Sequence, residues 1–169
     1  MTADFKDCET MKMVEFIREV GIEVILAELP EDTFIPGIFI KEGKLLVNEE
    51  ELLYPGDLLH EAAHIAMIPS HLRKHATDNV GKSPEIGDSY EVESICWSYA
   101  AVLHLGMNPE ILFHNKGYRG NAQNLLFGFT LGVYPGIVGL EKAKMAFGSL
   151  KSAEMNIEPF PSMEKWLRD

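Results

Sequence analysis

The segment Leu58-Leu59-His60-Glu61-Ala62-Ala63-His64-Ile65-Ala66-Met67 limits this chain more than any other. Pro55-Gly56-Asp57 breaks the chain before it and Pro69 follows it, so it reads as a helix beginning at Leu58 with Asp57 as its cap. Leu58, Leu59, Ile65 and Met67 supply a buried side, and Ala62, Ala63 and Ala66 let a second helix come close. Into this apolar setting the sequence places two imidazoles and a carboxylate. Residues four apart stand one turn above each other on the same helix face, so His60 and His64 can point two rings at one ion.

Glu61 follows the first histidine and precedes the second by three, which sets its carboxylate beside the open position of such an ion, within reach of a proton on bound water. Zinc suits the pair because neutral imidazole binds it well and bound water reaches a pKa of about 7. The expectation is one Zn2+ held by His60 and His64, with Glu61 as the general base that activates metal-bound water. A catalytic zinc usually takes a third protein ligand, and an acidic helix downstream offers Glu91 and Glu93. Glu91 is favoured, because Ser94, Ser98 and Ala101 form a small face with it that can press on Ala62, Ala63 and Ala66, whereas Glu93 shares its face with Trp97. The competing role for Glu91 is a capping-box carboxylate three residues after Asp88.

Around these two helices the punctuation is readable. Met11, Met13, Val14, Ile17 and Val20 recur at helical spacing over Cys8–Val20, and Gly21 supplies a stop. Residues 23–29 are apolar and short, either a strand or the fraying end of that helix. Gly37-Ile38-Phe39-Ile40 and Leu45-Leu46-Val47 flank Lys41-Glu42-Gly43-Lys44, which reads as a β-hairpin whose edge can receive an extended peptide. The Glu-bearing helix is expected to open at Asp88 or Ser89 as cap and to stop at Gly106. Asn108-Pro109 repeats a cap-then-proline start, and glycine-punctuated apolar helix is expected to about Phe147, then a polar tail. The charge-free run 121–140 is broken by Pro135 and glycines and reads as a buried helical hairpin rather than the roughly 20-residue apolar span a membrane needs.

Composition narrows the function classes. The chain has 169 residues, 46% apolar and 24% charged, ordinary for a single folded domain over residues 1–169. A net charge of -11 argues against a nucleic-acid partner. Two cysteines, Cys8 and Cys96, in no metal or disulfide pattern, and a beginning without basic or apolar leader character point to the cytoplasm.

Over residues 35–106 the sequence resembles the gluzincin metallopeptidases, particularly the short ImmA/IrrE type of zinc peptidase. There a hairpin whose second strand ends in Asn leads into the HExxH helix, matched here by residues 37–47, Asn48 and the His60 to His64 motif. The resemblance implies Glu91 as third ligand, with Ser94, Trp97 and Ala100 after it, and a hairpin that aligns substrate. It departs at Ser94-Ile95, where many relatives carry Ala then Asn or Asp, so a carboxylate that would orient a ligand is missing.

The reading is thus a compact α+β zincin-like domain with a small antiparallel sheet, an HExxH helix, a Glu-bearing helix and further C-terminal helices. It is expected to hydrolyse peptide bonds of a peptide or protein substrate, with neither nucleic acid nor membrane as partner; the sequence sets no oligomeric state. The rival is a non-catalytic zinc-binding interaction or regulatory module. Tyr90, His104, His114, Tyr118 and Arg119 are all chemically able to donate to an oxyanion, with Tyr118-Arg119 preferred for its glycine-flanked loop. His71 and His75 lack a nearby base and read as a solvated face.

Overall fold

The first helix, α1 (Cys8–Val20), begins and ends where its punctuation puts it. The Asp7 carboxylate accepts from the Thr10 amide at 2.8 Å. Gly21, at φ 104°, turns the chain left-handed, and Gly21 N and Ile22 N bond back to the Arg18 and Ile17 carbonyls. The computed structural model describes residues 5–169; residues 1–4, the start of the stretch read for a leader, lie outside them.

Residues 23–29 resolve into a strand, β1 (Val24–Leu26), rather than a continuation of α1. The expected hairpin is β2 (Ile38–Lys41) and β3 (Lys44–Val47), closed by Glu42 and Gly43 at φ 52° and 75°. Two consecutive left-handed residues are the signature of the tight turn that matches strand twist. The sheet order is β1-β3-β2, with β1 parallel and β2 antiparallel to β3, so the sheet is mixed where a purely antiparallel one was expected. The outer edge of β2 is bridged at Ile38 by Ile35 and at Lys41 by Thr77. An added peptide strand therefore meets an edge already occupied at both ends.

The motif helix α2 (Asp57–Met67) packs chiefly on α3 (Glu91–His104). Ala62, Ala63, Ala66, Ser94 and Ser98 are fully buried, and the Ser98 hydroxyl donates to Leu59 O at 3.3 Å. Small side chains on both helices allow this approach. The expected caps are corrected in both helices. Gly56 holds the cap position of α2, because a Cβ there would lie 2.0 Å from Ile111 O; Asp57 is the first helical residue. Tyr90, left-handed at φ 52°, precedes α3, and Asp88 accepts its amide at 2.9 Å. Glu91 therefore opens the helix instead of standing at the third position of a capping box.

After α3 the chain departs most from expectation. Asn108 does accept from Glu110 N, but Pro109–Ile111 makes a single 3₁₀ turn, and Tyr118–Gly120 makes another. Three short helices follow: α4 (Ala122–Thr130), α5 (Ile137–Lys142) and α6 (Ser149–Met155). The charge-free run is the α4–α5 hairpin, but it is only half buried: Phe129 and Leu140 face the core while Phe127, Leu131, Val133 and Val138 stand 57–66% exposed. Among the described residues no helix is long and apolar enough to cross a membrane.

The polar tail returns to the core. Trp166 meets Trp97 and Phe16 edge-on at 5.2 and 4.9 Å, and the buried Trp97 indole donates to Trp166 O at 2.9 Å. Two residues later, Arg168 N and Nη1 donate to Ala66 O and Met67 O, the open carbonyls at the end of α2, and the Arg168 guanidinium lies 5.2 Å from the Tyr90 ring. The tail thus links the end of the motif helix to the turn that starts α3.

Candidate metal centre

On α2, one turn brings His60 Nε2 and His64 Nε2 to 3.1 Å, with the ring planes nearly perpendicular. The first residue of α3 completes the group: Glu91 Oε1 lies 3.5 Å from His60 Nε2 and Oε2 lies 3.3 Å from His64 Nε2. Glu61 is buried beside them, and its carboxylate and the two histidines lie within 4.8 Å of one another. Glu93 points elsewhere: a Cβ on Gly139 would lie 2.0 Å from its carboxylate, which is packed on α5.

These spacings can be tested against a metal. Bonds of about 2.0–2.1 Å meeting at a tetrahedral angle hold neighbouring ligand atoms about 3.3 Å apart. The observed separations of 3.1, 3.3 and 3.5 Å fall around that value. Tautomer supports the same conclusion. Ser89 O can only accept, and it lies 2.6 Å from His64 Nδ1, so that nitrogen carries the hydrogen and the neutral ring presents its lone pair at Nε2. Ser94 Oγ stands 3.2 Å from the same Nδ1. The orienting group that the sequence lacked as a carboxylate is thus a backbone carbonyl just before α3. Two imidazole nitrogens and a carboxylate converge on one point as groups able to donate electron pairs to a cation. His60, Glu61 and His64 lie close enough together to hold a metal ion.

The electrostatics follow from burial and pairing. His60 and His64 hold the Glu91 carboxyl far below the ordinary carboxylate range, even though half of that side chain is exposed. Burial pushes the Glu61 carboxyl up, with His64 and His60 pulling the other way. For His64, burial disfavours the charged form, but Glu91, Glu61 and the Ser89 carbonyl outweigh it and raise the pKa above the ordinary 6.5.

The group opens into a cleft of about 1230 Å³. One wall is the loop after the 109–111 turn. Its His114 donates from Nε2 to Asp57 at 2.9 Å and stacks on Tyr54 at 3.7 Å. Tyr118 meets the His60 ring edge-on at 5.7 Å. Tyr118 and Arg119 both sit at positive φ, 55° and 54°, a conformation costing side-chain-bearing residues about 1–3 kcal/mol each. Burial first, then the charges of Asp57, Glu91 and Glu61, push the Tyr118 phenol well above its ordinary value, so it stays protonated and can donate.

Of the five oxyanion candidates, His114, Tyr118 and Arg119 line the cleft. Tyr90 lies under Arg168, and His104 packs with Phe16 and Trp166. His71 is exposed and His75 partly so, both outside the cleft. Sequence reasoning missed three participants. Asp57 was read as a cap and instead holds His114; Ser89 acts through its backbone; Arg168 sits in the tail. Asp57 and Ser89 each carried a sequence signal, but in both cases it was read as helix capping. Comparison of the chain with protein families, curated proteins and solved structures finds no match.

Proposed function

We propose that this chain is a zinc-dependent peptidase on the gluzincin plan that residues 35–106 resemble, working in the cytoplasm on a peptide or protein substrate. The observation that carries the reading is the near-tetrahedral spacing of His60, His64 and Glu91, with the buried Glu61 carboxylate beside them at the floor of a cleft. His60, His64 and Glu91 would hold the ion, and the His-His-Glu donor set is one that catalytic zinc uses. When bound, zinc supplies Lewis-acid polarisation of a peptide carbonyl and brings water to a pKa of about 7.

The protein's own groups do the remaining work. Glu61 takes a proton from the attacking water as the oxygen–carbon bond forms. The same carboxyl then passes that proton to the amine nitrogen as the carbon–nitrogen bond breaks. Tyr118 donates its hydroxyl hydrogen to the carbonyl oxygen as charge develops there. Ser89 O holds the His64 ring in the tautomer and orientation that binding requires.

The test is metal content per chain after purification without added metal, followed by assay on a peptide library. About one zinc in the wild type, lost in His64→Ala and in Glu91→Ala, supports the ligand set. Glu61→Gln should keep the metal and lose about 10²–10⁴ in turnover, as expected for a general base. Wild-type turnover in Glu61→Gln, or no metal uptake even when zinc is offered, would refute the reading.

A further inference from the structure

The charged side chains of the cleft divide into anions that already have partners and cations that, among the described residues, have none. Four carboxylates line it, and each is engaged within the protein. Asp57 pairs with His114, Asp78 accepts the Phe34 amide at 2.7 Å, Glu91 faces both histidines, and Glu61 is buried beside them. The cleft's cations are Lys82, Lys116 and Arg119, all exposed, and among the described residues none has an ion-pair partner. Two of the three cleft cations belong to the 114–120 loop, and one of them, Arg119, has the left-handed backbone described above. In a chain of net charge -11 the average field repels acidic peptides, so the cleft cations must act at short range.

We infer that this cleft selects peptides carrying a carboxylate near the cleaved bond, from an acidic side chain or from the chain end, recognised by Lys82, Lys116 and Arg119. The inference deepens the peptidase reading and rests on the same cleft as its substrate site. A guanidinium and two ammonium groups can each donate to carboxylate oxygens. A metal ion held at His60 and His64 would add positive charge to the same cleft.

The test uses matched peptides with Leu at the centre, followed by Glu or Gln at one position, each made as free acid and as amide. Their binding to zinc-loaded Glu61→Gln protein is measured by fluorescence anisotropy, and kcat/KM is measured with the wild type. Exposed charge pairs contribute modestly, so three together should favour a carboxylate-bearing peptide by about tenfold. That preference should fall toward unity in Lys82→Gln/Lys116→Gln/Arg119→Gln, and also in roughly 0.5 M salt. The Glu and Gln pair reports a side-chain carboxylate; the acid and amide pair reports a chain end. Equal binding across all four peptides overturns the inference even if all are cleaved, and so does a preference that survives the triple substitution. Charge-dependent binding with no cleavage keeps the inference and overturns the peptidase reading. The wild-type comparison among peptides needs no variant to fold.

Discussion

Gly136→Ala tests how the C-terminal helices support the metal centre. Gly136 caps α5 at φ -92° and ψ 0°, a turn conformation open to alanine, so the main effect is steric. The added Cβ would lie 2.2 Å from Val92 O, 2.5 Å from Val92 C and 2.6 Å from Glu93 Cα. All three are backbone atoms of the first turn of α3, and carbon contacts are comfortable only near 3.5–4.0 Å. The two segments must therefore part by roughly 1 Å. Overpacking of this kind costs about 1–3 kcal/mol, and a chain of this size loses roughly 2–4 °C in Tm per kcal/mol. Thermal unfolding of the metal-free variant should thus fall by about 2–12 °C. Because Glu91 stands on the same turn, zinc affinity measured by competition with a chelating dye should also drop, by about tenfold or more. Gly128→Ala is the control: nothing lies within 4 Å of its Cβ, and alanine there should stabilise α4 by about 0.5–1 kcal/mol. Unchanged Tm and unchanged zinc affinity in Gly136→Ala would refute the claim that α5 braces the Glu91 turn.

Three further perturbations separate the parts of the site. Arg168→Ala removes a donor to the end of α2 and the cation over Tyr90, so zinc affinity should fall several-fold and the spectrum of the cobalt-substituted protein should change, with partial rescue in Arg168→Lys; an unaltered spectrum and affinity would show that the tail does not position the site. In metal-free protein the raised His64 pKa stabilises the fold below the ordinary histidine value of 6.5 and is lost as pH rises through the folded value. The lowered Glu91 pKa stabilises above the ordinary 4.5 and is lost as pH falls. The stability gap between wild type and Glu91→Gln, read by denaturant unfolding with chelator present, should therefore be widest between pH 4.5 and 6.5, and a gap independent of pH would contradict the pairing. Tyr118→Phe should retain zinc and lose about 10² in kcat, and an unchanged kcat would assign the oxyanion contact to another group.

The features legible in the sequence were those decided within a few residues. Asp7 and Gly21 bracket α1 because a cap and a left-handed stop act on the adjacent turn. Glu42-Gly43 closes the hairpin because the turn itself demands positive φ. His60, Glu61 and His64 share one helix, so their spacing already carried their proximity, and the small faces of α2 and α3 brought Glu91 into consideration. What only the tertiary structure decided depends on groups distant along the chain. Residues 24–26 become a strand because β3 offers them a free edge, which so short an apolar run cannot reveal. Asp57 becomes a partner of His114 rather than a cap because the Ile111 backbone crowds Gly56. Glu91 was already favoured over Glu93 from the small face it shares with Ser94, Ser98 and Ala101; what the tertiary structure adds is that Glu93 packs on α5 while Glu91 faces both histidines. The Ser89 carbonyl, the Arg168 clamp and the cations at the cleft have no local signature, because a backbone oxygen, a tail residue and surface lysines acquire a role only when folding sets them beside something else.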